Sequence, residues 1–412
     1  MKTKLWNRDF TLLVLGQVIS IFGNMILSFA LPLYILYISG SSALFGLVLG
    51  LTYIPLLIMS PIGGLIADRF RKQRVMFWLD ASTTVLIVTY IIVSGLVVDV
   101  LPIVIVKLMA LNAIQGVYMP AVSASIPVLV QEDRLVSANA VVNSINSTSS
   151  MIGMAVAGVL FSAFGLLPIL VVSAICFAIT AVMDLFIRIP FKPQDSSGGI
   201  IKIVKSDLSQ ALKFVREHRV ILDCAILAFM FSATLMSMLL VGIPVLVSQH
   251  LAMGMDFVGL SQSFMMAGGI LGGVLTGILG NRLKVTTIYL LIMSSALVMI
   301  PVGIVLFLDM PSVVIYVSLT LACFLAMVLV TTANIQIVSL IQNETPTELI
   351  GKVISIIVML PFLANALGQL MYGFVFEAFE ASPYLVVFVT VGLVVGIALY
   401  TRKCFKDYTL SR

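Results

Sequence analysis

Charge is what this sequence has least of. Only 10% of its 412 residues are Asp, Glu, Lys or Arg, against roughly 25% in a soluble domain, which excludes a soluble protein with an oversized core. Histidine is scarcer still, and His218 and His250 are expected on opposite faces of a membrane, so they cannot form a pair. The four cysteines, Cys176, Cys224, Cys323 and Cys404, stand singly and offer neither metal-site spacing nor a disulfide framework. No metal and no cofactor is therefore expected. No cluster of catalytic side chains falls at one depth, so an enzyme is not expected either. The stretch "GGILGGVLTG" lacks the preceding strand and the lysine of a nucleotide loop and reads as close helix packing. The excess of five cations takes its meaning from where the cations sit, and that pattern does not indicate nucleic acid.

Hydrophobic residues make up 61% of the chain. A membrane helix needs about 20 apolar residues to cross about 30 Å of hydrocarbon. Breaks at polar, Gly or Pro clusters predict spans near 10–36, 43–66, 75–97, 101–127, 138–164 and 167–189. After a polar connector, further spans are predicted near 220–247, 257–279, 286–308, 312–341, 352–378 and 383–402. "MKTKLWNRDF" leads into a segment too long for a signal core, so the first helix is expected to remain a span.

With the N-terminus in the cytoplasm, 22 of the 23 Lys and Arg fall on the cytoplasmic side, as the positive-inside rule requires. The external loops carry Asp99, Asp256, Asp309, Glu377 and Glu380 instead. Twelve spans of a cell (plasma) membrane with both termini cytoplasmic is the expected topology. The connector continues as "IIKIVKSDLSQALKFVREHRV", whose apolar residues recur at helical spacing. It predicts an amphipathic helix on the inner membrane surface. The expected organisation is a six-helix half over 1–190, a connector over 191–219 and a second half over 220–412. An offset of 213 residues places Gly46 on Gly259, Gly64 on Gly277, Asp68 on Asn281 and Arg69 on Arg282. Six-span repeats of this kind characterise secondary transporters, with substrate near the midplane between the halves.

"GLIADRFRKQRV", between spans two and three, resembles the loop signature of the major facilitator superfamily, with "GGVLTGILGNRLK" as its second-half counterpart. "NRDFTLLVLGQVISIFGN", "IPVLVQEDRLVSANAVVNS" and "ETPTELIGKVIS" are similar to the macrolide-efflux-like branch. The resemblance covers nearly the full length and implies an all-α membrane protein of twelve helices in two pseudo-symmetric six-helix bundles. It also implies a cytoplasmic gate formed by Gly64, Asp68, Arg69, Arg71, Lys72 and Arg74, with Asn281 and Arg282. The Gly63-Gly64 pair is expected to let helices approach closely. Two positions depart from motifs that the family links to proton-driven export: Asn112 stands where an Arg is usual, and Met154 where a Pro is usual.

Polar residues at helical intervals mark a substrate cavity: Gln17, Asn24, Tyr53, Lys107, Asn112, Gln115, Tyr118, Asn143, Asn146, Met236, Asn334, Asn365 and Gln369. Helix packing alone is the plainer reading of such stripes. Lys107 sits roughly 8–9 Å into span four, either snorkelling to the interface or facing an anionic group, Asp99 or Glu377. Asp80 and Asp223 are candidates for a proton relay, whereas Asp184 is expected to pair with Arg188 at i+4. Neutral amides among aromatics and methionines suit a large amphipathic solute. Together these features predict a monomeric secondary transporter that exports amphipathic small molecules, with the lipid bilayer as its surroundings and protons as the candidate coupling ion. A lipid or lysolipid transporter is the alternative within transport, and a substrate-sensing protein the alternative outside it.

Overall fold

The computed structural model describes residues 6–94, 101–190, 200–279, 287–346 and 349–410, and among these every regular element is a helix. Twelve helices are long and apolar enough to cross a membrane. The first six are α1 (Arg8–Ser39), α2 (Ser42–Arg69), α3 (Lys72–Ser94), α4 (Leu101–Leu129), α5 (Leu135–Phe164) and α6 (Leu166–Phe186). The connector helix α7 (Ile200–Glu217) is amphipathic. The second six are α8 (Arg219–His250), α9 (Met255–Leu279), α10 (Ile288–Phe307), α11 (Ser312–Glu344), α12 (Ile350–Ala378) and α13 (Pro383–Leu410). The fold is the all-helical, twelve-span membrane architecture that the hydropathy pattern predicts.

Helix ends follow local chemistry. Gly40 and Gly165 both adopt positive φ, 64° and 73°, a conformation glycine reaches without a Cβ penalty. Gly165 therefore closes α5 and opens α6 within one residue. Proline occurs inside α1, α2, α4, α8 and α12. Membrane helices tolerate it because side chains and local widening re-satisfy freed carbonyls. In α8 two five-residue π turns, Ser232–Met236 and Leu246–His250, widen the ladder. The Ser237 hydroxyl donates to the Ser232 carbonyl at 2.8 Å and the Ser248 hydroxyl to that of Pro244 at 2.7 Å.

The chain separates into two compact units: 1–38 with 51–198, and 39–50 with 199–412. In the first, Phe10, Leu13, Met76, Tyr118, Ile126 and Val142 form a continuous buried cluster joining α1, α3, α4 and α5. Gly63 brings α2 onto α4, for a Cβ there would lie 2.6 Å from the Val117 Cα and 2.7 Å from the Gly116 carbonyl. The Cβ direction of Gly64 meets nothing within 4 Å among the described residues. One residue turns the helix face by about 100°, so only one of two adjacent glycines can serve a given contact.

In the second unit α9 lies directly on α11. A Cβ on Gly272 would sit 2.5 Å from the Val328 carbonyl, and one on Gly268 would run into the Phe324 carbonyl. Small residues at such spacing allow the backbone-to-backbone approach that replaces a hydrophobic drive within lipid. The same unit includes the first turns of α2: Gly46 seats on Gln369 and Gly373 of α12. The Glu377 carboxylate accepts from the Ser41 hydroxyl at 2.5 Å and the Ala43 N–H at 2.8 Å, pairing one of the free donors at the α2 N-terminus.

Gly272→Leu is expected to lower thermal stability in detergent by about 1–3 kcal/mol through overpacking. Gly273→Leu, where a Cβ meets nothing within 4 Å, should stay within about 0.5 kcal/mol of wild type. Equal melting temperatures for the two variants would contradict the α9–α11 contact.

Candidate functional site

Polar side chains in the first unit converge at one level of four helices. Gln17 of α1, 2% exposed, donates its amide to the Tyr118 hydroxyl at 2.9 Å, and Ser20 one turn along hydrogen bonds to the same hydroxyl. The spacing of three residues puts both on one face of α1. Asp80 of α3 reaches Tyr118 of α4 and Thr180 of α6. Asp184 lies one turn beyond Thr180 and in electrostatic contact with Asp80. Both carboxyls are almost wholly buried, and each has one oxygen, Oδ2, without a hydrogen-bond partner. Neither forms a salt bridge among the described residues.

This corrects the expectation for Asp184. Helix α6 ends at Phe186 and Ile187 is extended, with ψ 132°. Arg188 therefore leaves the helical face on which an i,i+4 pair would form. It is exposed, and its backbone N–H donates to Asp9 Oδ1 at 3.0 Å. The carboxyl it was expected to neutralise is buried and interacts electrostatically with a second carboxyl, Asp80. The sequence signal for this arrangement is the Thr180–Asp184 pair at i,i+4 on an otherwise apolar span.

The remaining first-unit residues divide by exposure. Asn24, Tyr53, Gln115 and Asn146 are half-buried, and Asn143 is exposed. Asn112, also half-buried, turns its amide back to the Leu108 carbonyl at 2.9 Å. Lys107 is 2% exposed, and its ammonium lies 4.1 Å from the Tyr90 ring centroid with no hydrogen-bond acceptor among the described residues. Asp99, its expected partner, lies outside the described residues. Glu377, the other, is engaged by Ser41 and Ala43.

In the second unit the wide turn of α8 carries Met236, half-buried, and Ser237, fully buried against α12. Ser237 Oγ stands 3.4 Å from Asn365 Oδ1. Gln369, 2% exposed, leaves its amide oxygen unpaired, and Gln336 of α11 leaves both amide atoms unpaired. Asn334 is exposed. Asp223 accepts from the Tyr400 hydroxyl at 3.2 Å, which ties α8 to α13.

The α2–α3 junction carries the cations of the expected gate. Arg69 closes α2, where positive charge complements the helix dipole, whereas Lys72 and Arg74 open α3, where it does not. Helix preference therefore accounts for the first cation but not for the other two. Arg69, Arg71 and Arg74 are exposed. The Asp68 side chain, Asn281 and Arg282 lie outside the described residues.

Comparison with known proteins agrees with this architecture. The model of the Major Facilitator Superfamily matches residues 13–369. Over 379 residues the chain is 21% identical to Macrolide efflux protein A of Streptococcus pyogenes, with 89% of each chain covered. It is 22% identical over 414 residues to the uncharacterized MFS-type transporter YvqJ of Bacillus subtilis, covering 97% of this chain and 93% of that one. Among solved structures, the nucleoside transporter NupG superposes with a TM-score of 0.74 at 14% identity, over 97% of this chain and all of that one. A bacterial homologue of the human lysosomal transporter Spinster gives 0.74 at 14%, over 98% of both.

Tyr118→Phe removes the acceptor of Gln17 and the hydroxyl beside Asp80. A loss of about 1–3 kcal/mol, the cost of stranding a buried polar group, is expected in thermal unfolding. Unchanged stability would show that Tyr118 does not hold this cluster together.

Proposed function

Because the chain belongs to the Major Facilitator Superfamily, a family of transporters rather than enzymes, we propose that this multi-pass membrane transporter exports amphipathic small molecules of the macrolide type. The observation that carries the reading is the match to the macrolide efflux protein along 89% of both chains. The chemistry of the polar residues supports it. The exposed amides of Asn143 and Asn334 would be costly against lipid and belong on wetted surfaces that a substrate can reach. Neutral amides in each unit, with Tyr53 in the first and Met236 in the second, favour a large, weakly polar solute over a small ion, since methionine adapts to varied shapes.

Export proceeds by alternating access in a monomer of the cell membrane, with both termini cytoplasmic, as the distribution of Lys and Arg supports. Asp68, Arg69, Arg71, Lys72 and Arg74, with Asn281 and Arg282, act as the cytoplasmic gate, forming ion pairs in one state that break in the other. The coupling ion is the proton, held at the Asp80–Asp184 pair. Both are acids buried inside spans with one carboxyl oxygen unpaired, the kind of group that carries protons through a membrane protein. Gln17, Ser20 and Tyr118 connect that proton to α1 and α4, whose polar faces line the substrate route. Asp223, bonded to Tyr400, has the less isolated environment and a secondary part.

The test uses energised inside-out vesicles and a panel of macrolides and lipophilic cations, following substrate-dependent proton release. Wild type should release protons on addition of a macrolide. Asp80→Asn should reduce that release roughly tenfold, within the usual range of coupling between two sites, while retaining macrolide binding. Macrolide movement with no proton release in wild type would overturn the coupling. No movement of any compound would overturn the export reading.

A further inference from the structure

The central polar cluster leaves one buried charge unexplained. Lys107 is separated from the acids by its position near the start of α4, and its ammonium has only the Tyr90 ring for company among the described residues. A cation buried in apolar surroundings calls for a counterion, because a ring face offsets only a small part of the lost hydration.

Lys107 also lines a groove of ≈ 460 Å³ between α3 and α4. Its rim is apolar and outward-facing: Trp78, Val85 and Val106 are each more than 60% exposed. Ser82, within the groove, already satisfies its hydroxyl on the Trp78 carbonyl at 2.6 Å. The groove is thus apolar along its length and has at one end Lys107, unpaired among the described residues.

The dimensions fit a lipid. Helix α4 has 29 residues, or about 44 Å, which exceeds an approximately 30 Å hydrocarbon core by about 7 Å at each end if centred. Lys107 lies about 9 Å from the helix start, close to the boundary between hydrocarbon and headgroups. From Tyr90 to Trp78 the α3 wall runs about 18 Å, comparable to the roughly 15 Å depth of one leaflet. The charge, the depth and the length of the wall all match one class of molecule.

We propose that the α3–α4 groove binds an anionic glycerophospholipid, its phosphate paired with Lys107 and one acyl chain lying along Tyr90, Leu86, Val85 and Trp78. The site lies outside the proposed substrate route and holds whether or not macrolides are the cargo.

Native mass spectrometry of the detergent-purified full-length protein tests this with phosphatidylglycerol, phosphatidylcholine and soluble glycerol 3-phosphate. Wild type should retain phosphatidylglycerol over phosphatidylcholine by roughly tenfold, and glycerol 3-phosphate should not displace it. Lys107→Met should abolish the preference and Lys107→Arg should keep it. Val85→Trp, at an exposed position that projects into the groove, should reduce retention of both lipids. Equal retention of the two lipids by wild type, or a preference surviving in Lys107→Met, would overturn the proposal. Displacement by glycerol 3-phosphate would also overturn it, since the site would then recognise a free anion.

Discussion

In hydrocarbon an unpaired polar group has no water to turn to, and nearly every feature of this chain follows from that. Backbone amides are satisfied within each helix, so the described residues contain helices and no other regular element. Side-chain hydroxyls obey the same constraint: those of Ser82, Ser125, Thr276 and Thr390 each donate back to the carbonyl four residues earlier. Where the ladder widens in α8, Ser237 and Ser248 meet the freed carbonyls. The groups that break this rule are few. Among the described residues Gln73, Asp80, Lys107, Asp184, Gln336 and Gln369 keep a buried polar atom unpaired. Three of them, Asp80, Lys107 and Asp184, are ionisable, the groups whose burial without a partner costs most.

The two compact units solve the packing problem in similar ways. Lipid tails are as apolar as the helices they surround, so burial of oil does not hold helices together. Close approach does, and glycine supplies it where backbones touch: Gly63 against Val117 in one unit, Gly272 against Val328 in the other. Polar contacts then fix which faces meet. Tyr118 draws Gln17, Ser20 and Asp80 together, and the Tyr372 and Thr390 hydroxyls meet at 2.7 Å where α12 passes α13.

The twelve spans were legible because a membrane helix announces itself by length and apolarity, and loops such as those after Ser39 and Phe164 carry their glycines where the chain must turn. The site was less legible, because a one-dimensional stripe does not say what lies opposite it. Asp184 illustrates the difficulty. Its expected pairing assumed that α6 runs through Arg188, and a helix ending two residues earlier removes the geometry. Of the adjacent glycines, phase decides that Gly63 is the one turned toward α4. The depth of Lys107 could be counted from residue number, but its isolation beside Tyr90 required the neighbouring helix. Asp80 could be named as an acid inside a span. That it meets Tyr118 and Thr180 of two other helices is a tertiary fact.

The wide turn at Ser232–Met236 has a consequence for ancestry. A helix that gains one residue must either rotate everything beyond it by about 100° or absorb the addition locally, as a π turn does. Ser237, the residue directly after the turn, packs on Asn365 and Gly368, so an insertion absorbed within the turn leaves that contact in place up to the second wide turn at Leu246–His250. Relatives whose helix lacks this bulge should therefore align to α8 only with a one-residue gap in the middle of the span. Elsewhere in a membrane helix such a gap would signal misalignment, but here it would record the insertion itself.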